Sequence, residues 1–289
     1  MKLKIFLSAL AAVTFSCALS VSADTYLDTI DYVVCDDMAV ITGFEGSAET
    51  ICIPGKIDGK TVCEIRENAF YKCDTLKKVI IPETVTKIGH HAFFECSALE
   101  SVEINGEISV IGEGSFYDCT SLIEVILPER LKFIEDYSFY DCEKLESIEL
   151  PGKLEEIGEY AFYGCESLSD VRLPDKLINI GNGAFYECKK IKSINVPDSV
   201  MSMGSCSIGF YGSDPKPIDD FSISGDNDSL GKIYAETNNL KFENVNEESE
   251  PKNSPILPAA IVIASSAGLM FFRFPEKVKV FRRRYEYEY

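Results

Sequence analysis

Ile134-Glu-Asp-Tyr-Ser-Phe-Tyr-Asp-Cys-Glu-Lys-Leu-Glu-Ser-Ile-Glu-Leu-Pro-Gly-Lys-Leu-Glu-Glu156 is one unit of 23 residues, and Ile157 opens the next copy. Moving outward, Phe70, Phe93, Phe116, Phe139, Phe162 and Phe185 keep the same step. So do Cys73, Cys96, Cys119, Cys142, Cys165 and Cys188, as well as Leu76, Leu99, Leu122, Leu145, Leu168 and Ile191. Ile65, Ile88, Ile111, Ile134, Ile157 and Ile180 complete the frame, without an insertion in six units. Self-similarity at a short fixed period marks a stacked architecture, because one such unit cannot bury its own apolar face.

Within a unit, Leu145, Ile148 and Leu150 surround a short extended segment whose strand portion alternates Ile148, Glu149, Leu150. Pro151 ends it, since proline cannot donate to a ladder. Ser138-Phe139-Tyr140 supplies the opposite wall, read as a helical turn. Stacking sets each Leu, Ile, Phe and Cys on its equivalent and closes a continuous core. The expectation is therefore an α/β solenoid, with a parallel β-ladder on one face and short helical turns or irregular segments on the other.

The pattern Ile-Gly-x-x-Ala-Phe-x-x-Cys-x-x-Leu-x-x-Ile-x-Leu-Pro, followed closely by Ile157 to Pro174, resembles the BspA-like leucine-rich-repeat family. The openings at Ile53-Pro54 and Asp58 to Val62, and the closing at Tyr234-Ala235 and Leu240 to Phe242, look like that family's caps. The resemblance spans about residues 32–242. It implies a right-handed leucine-rich-repeat coil, a bacterial-type cell-surface setting and adhesion to matrix proteins, other microbes or glycans. It carries no shared catalytic or ligand residues. Asn105 departs from the pattern where a proline is usual, and Glu135 where a glycine is usual.

The rest of the chain divides around the array. Residues 1–23 read as a signal peptide: Lys2 and Lys4, an apolar run, then small residues at Val21-Ser22-Ala23. Residues 24–64 are expected to form a β-rich cap, 65–203 the six repeats and 204–242 a degenerate repeat with a closing cap. Residues 243–254 are polar and acidic, a stalk. Residues 255–272 carry no charge and match a single C-terminal transmembrane helix. Residues 273–289 form a basic tail, which the positive-inside rule leaves in the cytoplasm. The segment Leu257-Pro258-Ala259-Ala260 lacks the Thr-Gly pair needed for covalent wall linkage.

The whole chain has 28 Lys+Arg and 47 Asp+Glu, a formal charge of −19. Residues 24–254 alone hold 20 basic and 44 acidic residues, about −24. Such a surface repels nucleic acid and anionic lipid and favours cationic partners.

No pattern points to catalysis, and neither enzyme activity nor a cofactor is expected. The six in-register cysteines read as buried thiols, because stacked equivalents point the same way. A Cys52–Cys63 bridge is the best placed among the cap cysteines, and metal binding is the remaining alternative. His90-His91 sits in a turn read as solvated, and could ligate a metal. Asp226-Asn227-Asp228 is a weak calcium candidate; no metal site is expected. Carboxylate pairs such as Glu155-Glu156 read as solvated faces.

Two surfaces are candidates for binding. Ile80, Glu103, Ile126, Glu149, Arg172 and Asn195 lie between the two core positions of each strand. Outward isoleucines there mark either a partner contact or plain β-propensity. Tyr71, Phe94, Tyr117, Tyr140, Tyr163 and Tyr186 form an aromatic stripe. It either receives sugar rings or a peptide, or half-buries over the turn with its hydroxyls in water. The expected partner is an extracellular protein or glycan, with a membrane contact through the C-terminal helix. The alternative is a structural or assembly role at the cell surface.

Overall fold

The computed structural model describes residues 30–245 and the pair 262–263. It is a β-solenoid with two ladders and little helix. The longer ladder starts with an antiparallel pair, Ile30–Cys35 and Met38–Phe44, then continues in parallel through Lys60–Ile65. From there it passes through Lys87–Ile88, Val110–Ile111, Phe133–Ile134, Glu156–Ile157 and Asn179–Ile180 to Ser202–Met203. The parallel steps from Ile41 to Ile180 pair an isoleucine with its equivalent, as in Ile134↔Ile157, and the step to Ser202–Met203 sets Met203 on Ile180.

The second ladder falls on the segment expected to be extended. Thr50–Cys52, Lys78–Ile81, Ser101–Ile104 and Glu124–Ile126 pair in parallel, then Ser147–Ile148 with Asp170–Val171. Ser193–Asn195, Ser222–Gly225 and Lys241–Asn244 close it.

The third wall is not helical as expected. Each coil makes i to i−3 turns there, such as Tyr140 N to Tyr137 O at 3.2 Å. Left-handed residues interrupt them: Tyr137 has φ 57° and Asp141 φ 52°. Alternate amides of the wall donate to the next coil: Tyr137 N to Glu159 O at 2.9 Å, Phe139 N to Ala161 O at 2.7 Å and Asp141 N to Tyr163 O at 2.7 Å. A helix keeps its N–H groups for its own carbonyls; this wall spends them between coils, much as a sheet does.

The core follows the 23-residue columns. The six array phenylalanines are fully buried and stacked, with centroids 4.8 to 5.2 Å apart. Burying one Phe contributes roughly 1.5–3 kcal/mol, and an offset aromatic pair about 0.5–1.5 kcal/mol more. Cys96, Cys119, Cys142, Cys165 and Cys188 are buried free thiols. Each donates to the carbonyl of the phenylalanine on the preceding coil, as Cys142 Sγ does to Phe116 O at 3.2 Å. Burial pushes the Cys119, Cys142, Cys165 and Cys188 thiols well above the ordinary range. Cys63 is free and contacts Ala39 O at 3.7 Å, so the expected Cys52–Cys63 bridge is not formed.

At the far end the helix Leu230–Thr237 is N-capped by Ser229 and leads into strand Lys241–Asn244. Tyr234 is buried under it, its hydroxyl donating to Ile208 O and accepting from Ile208 N, both at 3.2 Å. The expected signal peptide, the basic tail and nearly all of the stalk lie outside the described residues. So does the expected membrane helix, apart from Val262–Ile263, which form a two-residue strand beside Ser202–Met203 rather than a helical turn. Among the described residues no helix is long and apolar enough to cross a membrane.

Candidate binding surfaces

The strand-face row splits in two. Ile80, Glu103 and Ile126 stand side by side, in register across three strands. Both isoleucines are half-buried and Glu103 is only 8 % exposed. Glu103 lies between the two isoleucines, and its carboxylate accepts from Asn105 Nδ2 at 3.0 Å. Glu149, Arg172 and Asn195 are exposed. The row is therefore no continuous apolar face.

The aromatic stripe is continuous. Centroid separations run 5.4, 4.7, 4.6, 4.5 and 5.7 Å from Tyr71 to Tyr186, with planes within 15° of parallel. Tyr71 is 46 % exposed and the other five are half-buried. A second column lies beside it. Tyr137 and Tyr160 stack at 5.5 Å, and each meets the stripe three residues on, Tyr140 at 5.9 Å and Tyr163 at 6.0 Å. His91 does the same on Phe94, edge to face at 5.3 Å, so it is packed rather than solvated as expected. These second-column residues are left-handed, with φ 54° at His91, 57° at Tyr137 and 52° at Tyr160. That conformation disfavours a bulky side chain by roughly 1–2 kcal/mol, yet two tyrosines occupy it.

On the other side of the stripe runs a column of acids. Glu95, Asp118, Asp141 and Glu187 each follow a stripe residue and are also left-handed. Those at the two ends are neutralised: Lys72 Nζ reaches Glu95 at 3.0 Å, and Lys189 Nζ reaches Glu187 at 2.9 Å. Asp118 and Asp141 in the middle have no hydrogen bond or ion pair to their carboxylates among the described residues. Asp141 lies over Gly164 (φ +71°), where an added Cβ would fall 1.9 Å from its Oδ1. Burial first, then repulsion from Asp118, Glu143, Glu166 and Glu187, pushes its carboxyl up to about 6. Asp118 is raised for the same two reasons. Burial raises Tyr117, Tyr140 and Tyr163, with Asp141 adding to each.

The second column ends at Gly183, which has no side chain to continue it. Tyr160 leans over that glycine, and a pocket of about 550 Å³ opens between Tyr160, Tyr163, Tyr186 and Cys206, rimmed by Asn182 and Ser213. Tyr186 closes one side by donating to Gly212 O at 2.5 Å. The candidate calcium segment is occupied with helix capping: Asp226 O accepts from the Ser229 hydroxyl at 2.7 Å, and Asn227 Oδ1 from Lys232 at 3.1 Å. Among the described residues no group of three His, Cys, Asp or Glu side chains could hold a metal ion.

The family described as BspA type leucine rich repeat region matches residues 49–136 and 132–248, in six copies. The chain belongs to that family. Among solved structures, this BspA-type chain is similar to a leucine rich repeat protein of T. pallidum at 31% identity and a TM-score of 0.58, over 61% of this chain and 84% of that one. It is also similar to a leucine rich cell surface protein of Faecalibacterium prausnitzii A2-165, at 26% identity and TM-score 0.59, over 68% of this chain but 53% of the other. A leucine-rich repeat protein of Bacteroides ovatus ATCC 8483 shares 26% identity at TM-score 0.58, over 76% and 67%. No functionally curated protein matches the sequence.

Two departures from the BspA-type pattern, Asn105 and Glu135, are compensated locally. Asn105 replaces a strand-ending proline and binds Glu103. Glu135 replaces a glycine, and its Oε2 accepts from Glu113 N at 2.9 Å. Tyr137 and Tyr160, and the acidic column, were not singled out as functional from the sequence. They carry a readable signal, an aromatic three residues before a stripe member and an acid directly after one.

Proposed function

We propose that the protein is a non-catalytic binding protein of the cell surface, adhesive in role, which recognises an extracellular protein or glycan through its aromatic strip. The unbroken outer stack from Tyr71 to Tyr186 carries this reading. The core already has its own phenylalanine column, so a second column of half-buried rings on the exterior exceeds what packing needs. Rings fixed by a hydrogen-bonded scaffold lose little freedom when a partner docks, which favours affinity. Tyrosine also offers broad contact area with a polar tip, as binding surfaces use it.

The similar Faecalibacterium protein, described as a cell surface protein, supports the location. Export is supported by the signal-like segment 1–23, and membrane attachment rests on the uncharged run 255–272 and its basic tail.

The test is a binding array carrying extracellular-matrix proteins and glycans, probed with the purified protein. A specific hit weakened by Tyr140→Leu supports the reading. A blank from folded, monodisperse protein moves the assignment to a structural role, where coil number rather than surface chemistry matters.

A further inference from the structure

The strip already holds one cation of its own. Lys72 Nζ lies 5.1 Å from the centroid of the Tyr71 ring and pairs with Glu95 one coil on. An ammonium beside Tyr71, the terminal ring of the stack, held by the acid of the following coil, is therefore a geometry this scaffold accommodates. Both interactions raise the affinity of that ring and acid for the positive charge.

Two and three coils on from Lys72, a stripe ring followed by an acid recurs without the lysine. The equivalents of Lys72 are Asp118 and Asp141, beside Tyr117 and Tyr140. Neither carboxylate has a hydrogen bond or ion pair among the described residues, while the acids at both ends of the column are paired. The middle of the strip is thus an aromatic surface bordered by uncompensated negative charge, on a chain of formal charge −19.

Resting on the reading of the strip as the binding surface, we propose that it docks a basic segment of a partner protein. Lysine or arginine side chains of that segment pair with Asp118 and Asp141, and their aliphatic stems lie along the outward edges of the stacked Tyr117, Tyr140 and Tyr163 rings. Charge complementarity favours this occupant: an acidic ligand meets repulsion, and a neutral sugar can donate hydroxyl hydrogen bonds to the carboxylates but leaves their net charge unbalanced. The pocket at Gly183 extends the same tyrosine surface and gives room for one further side chain.

The experiment titrates the whole protein by calorimetry with a lysine-rich peptide, its arginine counterpart and a glutamine-substituted control. The basic peptides are expected to bind and the control not. Asp141→Asn keeps the side-chain shape and relieves the crowded charge, so it leaves the fold intact. It should weaken the basic peptides several-fold, up to about tenfold, as should Tyr140→Leu. Glu129→Gln removes an exposed carboxylate outside the strip and should leave binding unchanged.

Equal losses from Glu129→Gln and Asp141→Asn would mean diffuse attraction to an acidic surface, and would overturn the proposal. So would an array partner, protein or glycan, whose binding is lost in Tyr140→Leu but unaffected by Asp141→Asn; the strip would then still bind, by other chemistry. A partner indifferent to both variants would remove the reading of the strip itself.

Discussion

The rings of Tyr117 and Tyr140 are parallel, with 0° between their planes and 4.6 Å between their centroids. That separation is close to the spacing of neighbouring strands, about 4.7–4.9 Å, so the hydrogen-bonded coils set the pitch of the strip. Phe116 and Phe139, one residue earlier, form the corresponding core pair at 5.2 Å. Adjacent positions of one repeat thus feed two stacks, one inside and one outside, and their substitutions should have different consequences.

Phe139→Ala empties a fully buried site and loses stacking with both Phe116 and Phe162. It should cost about 3–5 kcal/mol in urea unfolding. Tyr140→Leu keeps apolar cover over the turn and should cost about 1 kcal/mol. Equal costs would mean that the outer stripe is simply more core.

Gly181 packs directly on the backbone of the preceding coil. An added Cβ would lie 2.5 Å from both Glu159 N and Gly158 C. Gly181→Ala should therefore force the two coils apart locally and cost about 1–3 kcal/mol. An unchanged denaturation midpoint would show that the turn has slack.

Stability should rise on mild acidification. The Asp141 carboxyl is pushed up to about 6 from an ordinary 3.8, so between those values the folded state keeps a proton that the unfolded chain releases. The destabilisation is fully present above the folded value and is relieved as pH falls through it. Asp118 and Glu156 shift in the same direction, burial being the first cause in each. The melting temperature should climb between about pH 7.5 and pH 5. Asp141→Asn should raise it at the upper end and flatten the climb. A steady fall across that window would contradict the charge arrangement.

The column thiols should be silent in the native protein. Thiolate is the reactive form, and burial keeps Cys119, Cys142, Cys165 and Cys188 protonated. Cys35 is exposed and should be labelled by maleimide at once. The four buried thiols should react only at the rate of unfolding, which mass spectrometry of the labelled peptides would report. Fast labelling at Cys142 would mean that the coils open locally.

The 23-residue columns made the core legible, because Phe139, Cys142, Leu145 and Ile148 each repeat in one register and an apolar column has one place to go. The longer ladder was harder to read. At Phe133–Ile134 it is two residues long with one buried side chain, too short for alternation to register. For the third wall the sequence leaves helical turns and irregular segments both open, because Ser138-Phe139-Tyr140 suits a helix as well as a turn. Tyr137 and Tyr160 are left-handed without being glycine, asparagine or aspartate, which local propensity does not foretell. Ile80 and Ile126 suit a partner contact or plain β-propensity equally well in the sequence, and the register adds that they flank the nearly buried Glu103. The stripe was visible residue by residue, but its neighbouring acids read as one more solvated face.

The most direct test compares the two surfaces on whichever extracellular partner the array yields. Its affinity should be measured for the parent protein, for the strip variant Tyr140→Leu/Tyr163→Leu and for the strand-face variant Glu149→Ala/Arg172→Ala. The account predicts a loss of about tenfold or more in the strip variant and parent-like affinity in the strand-face variant. The reverse pattern, with binding lost from the strand face and kept by the strip, would contradict it.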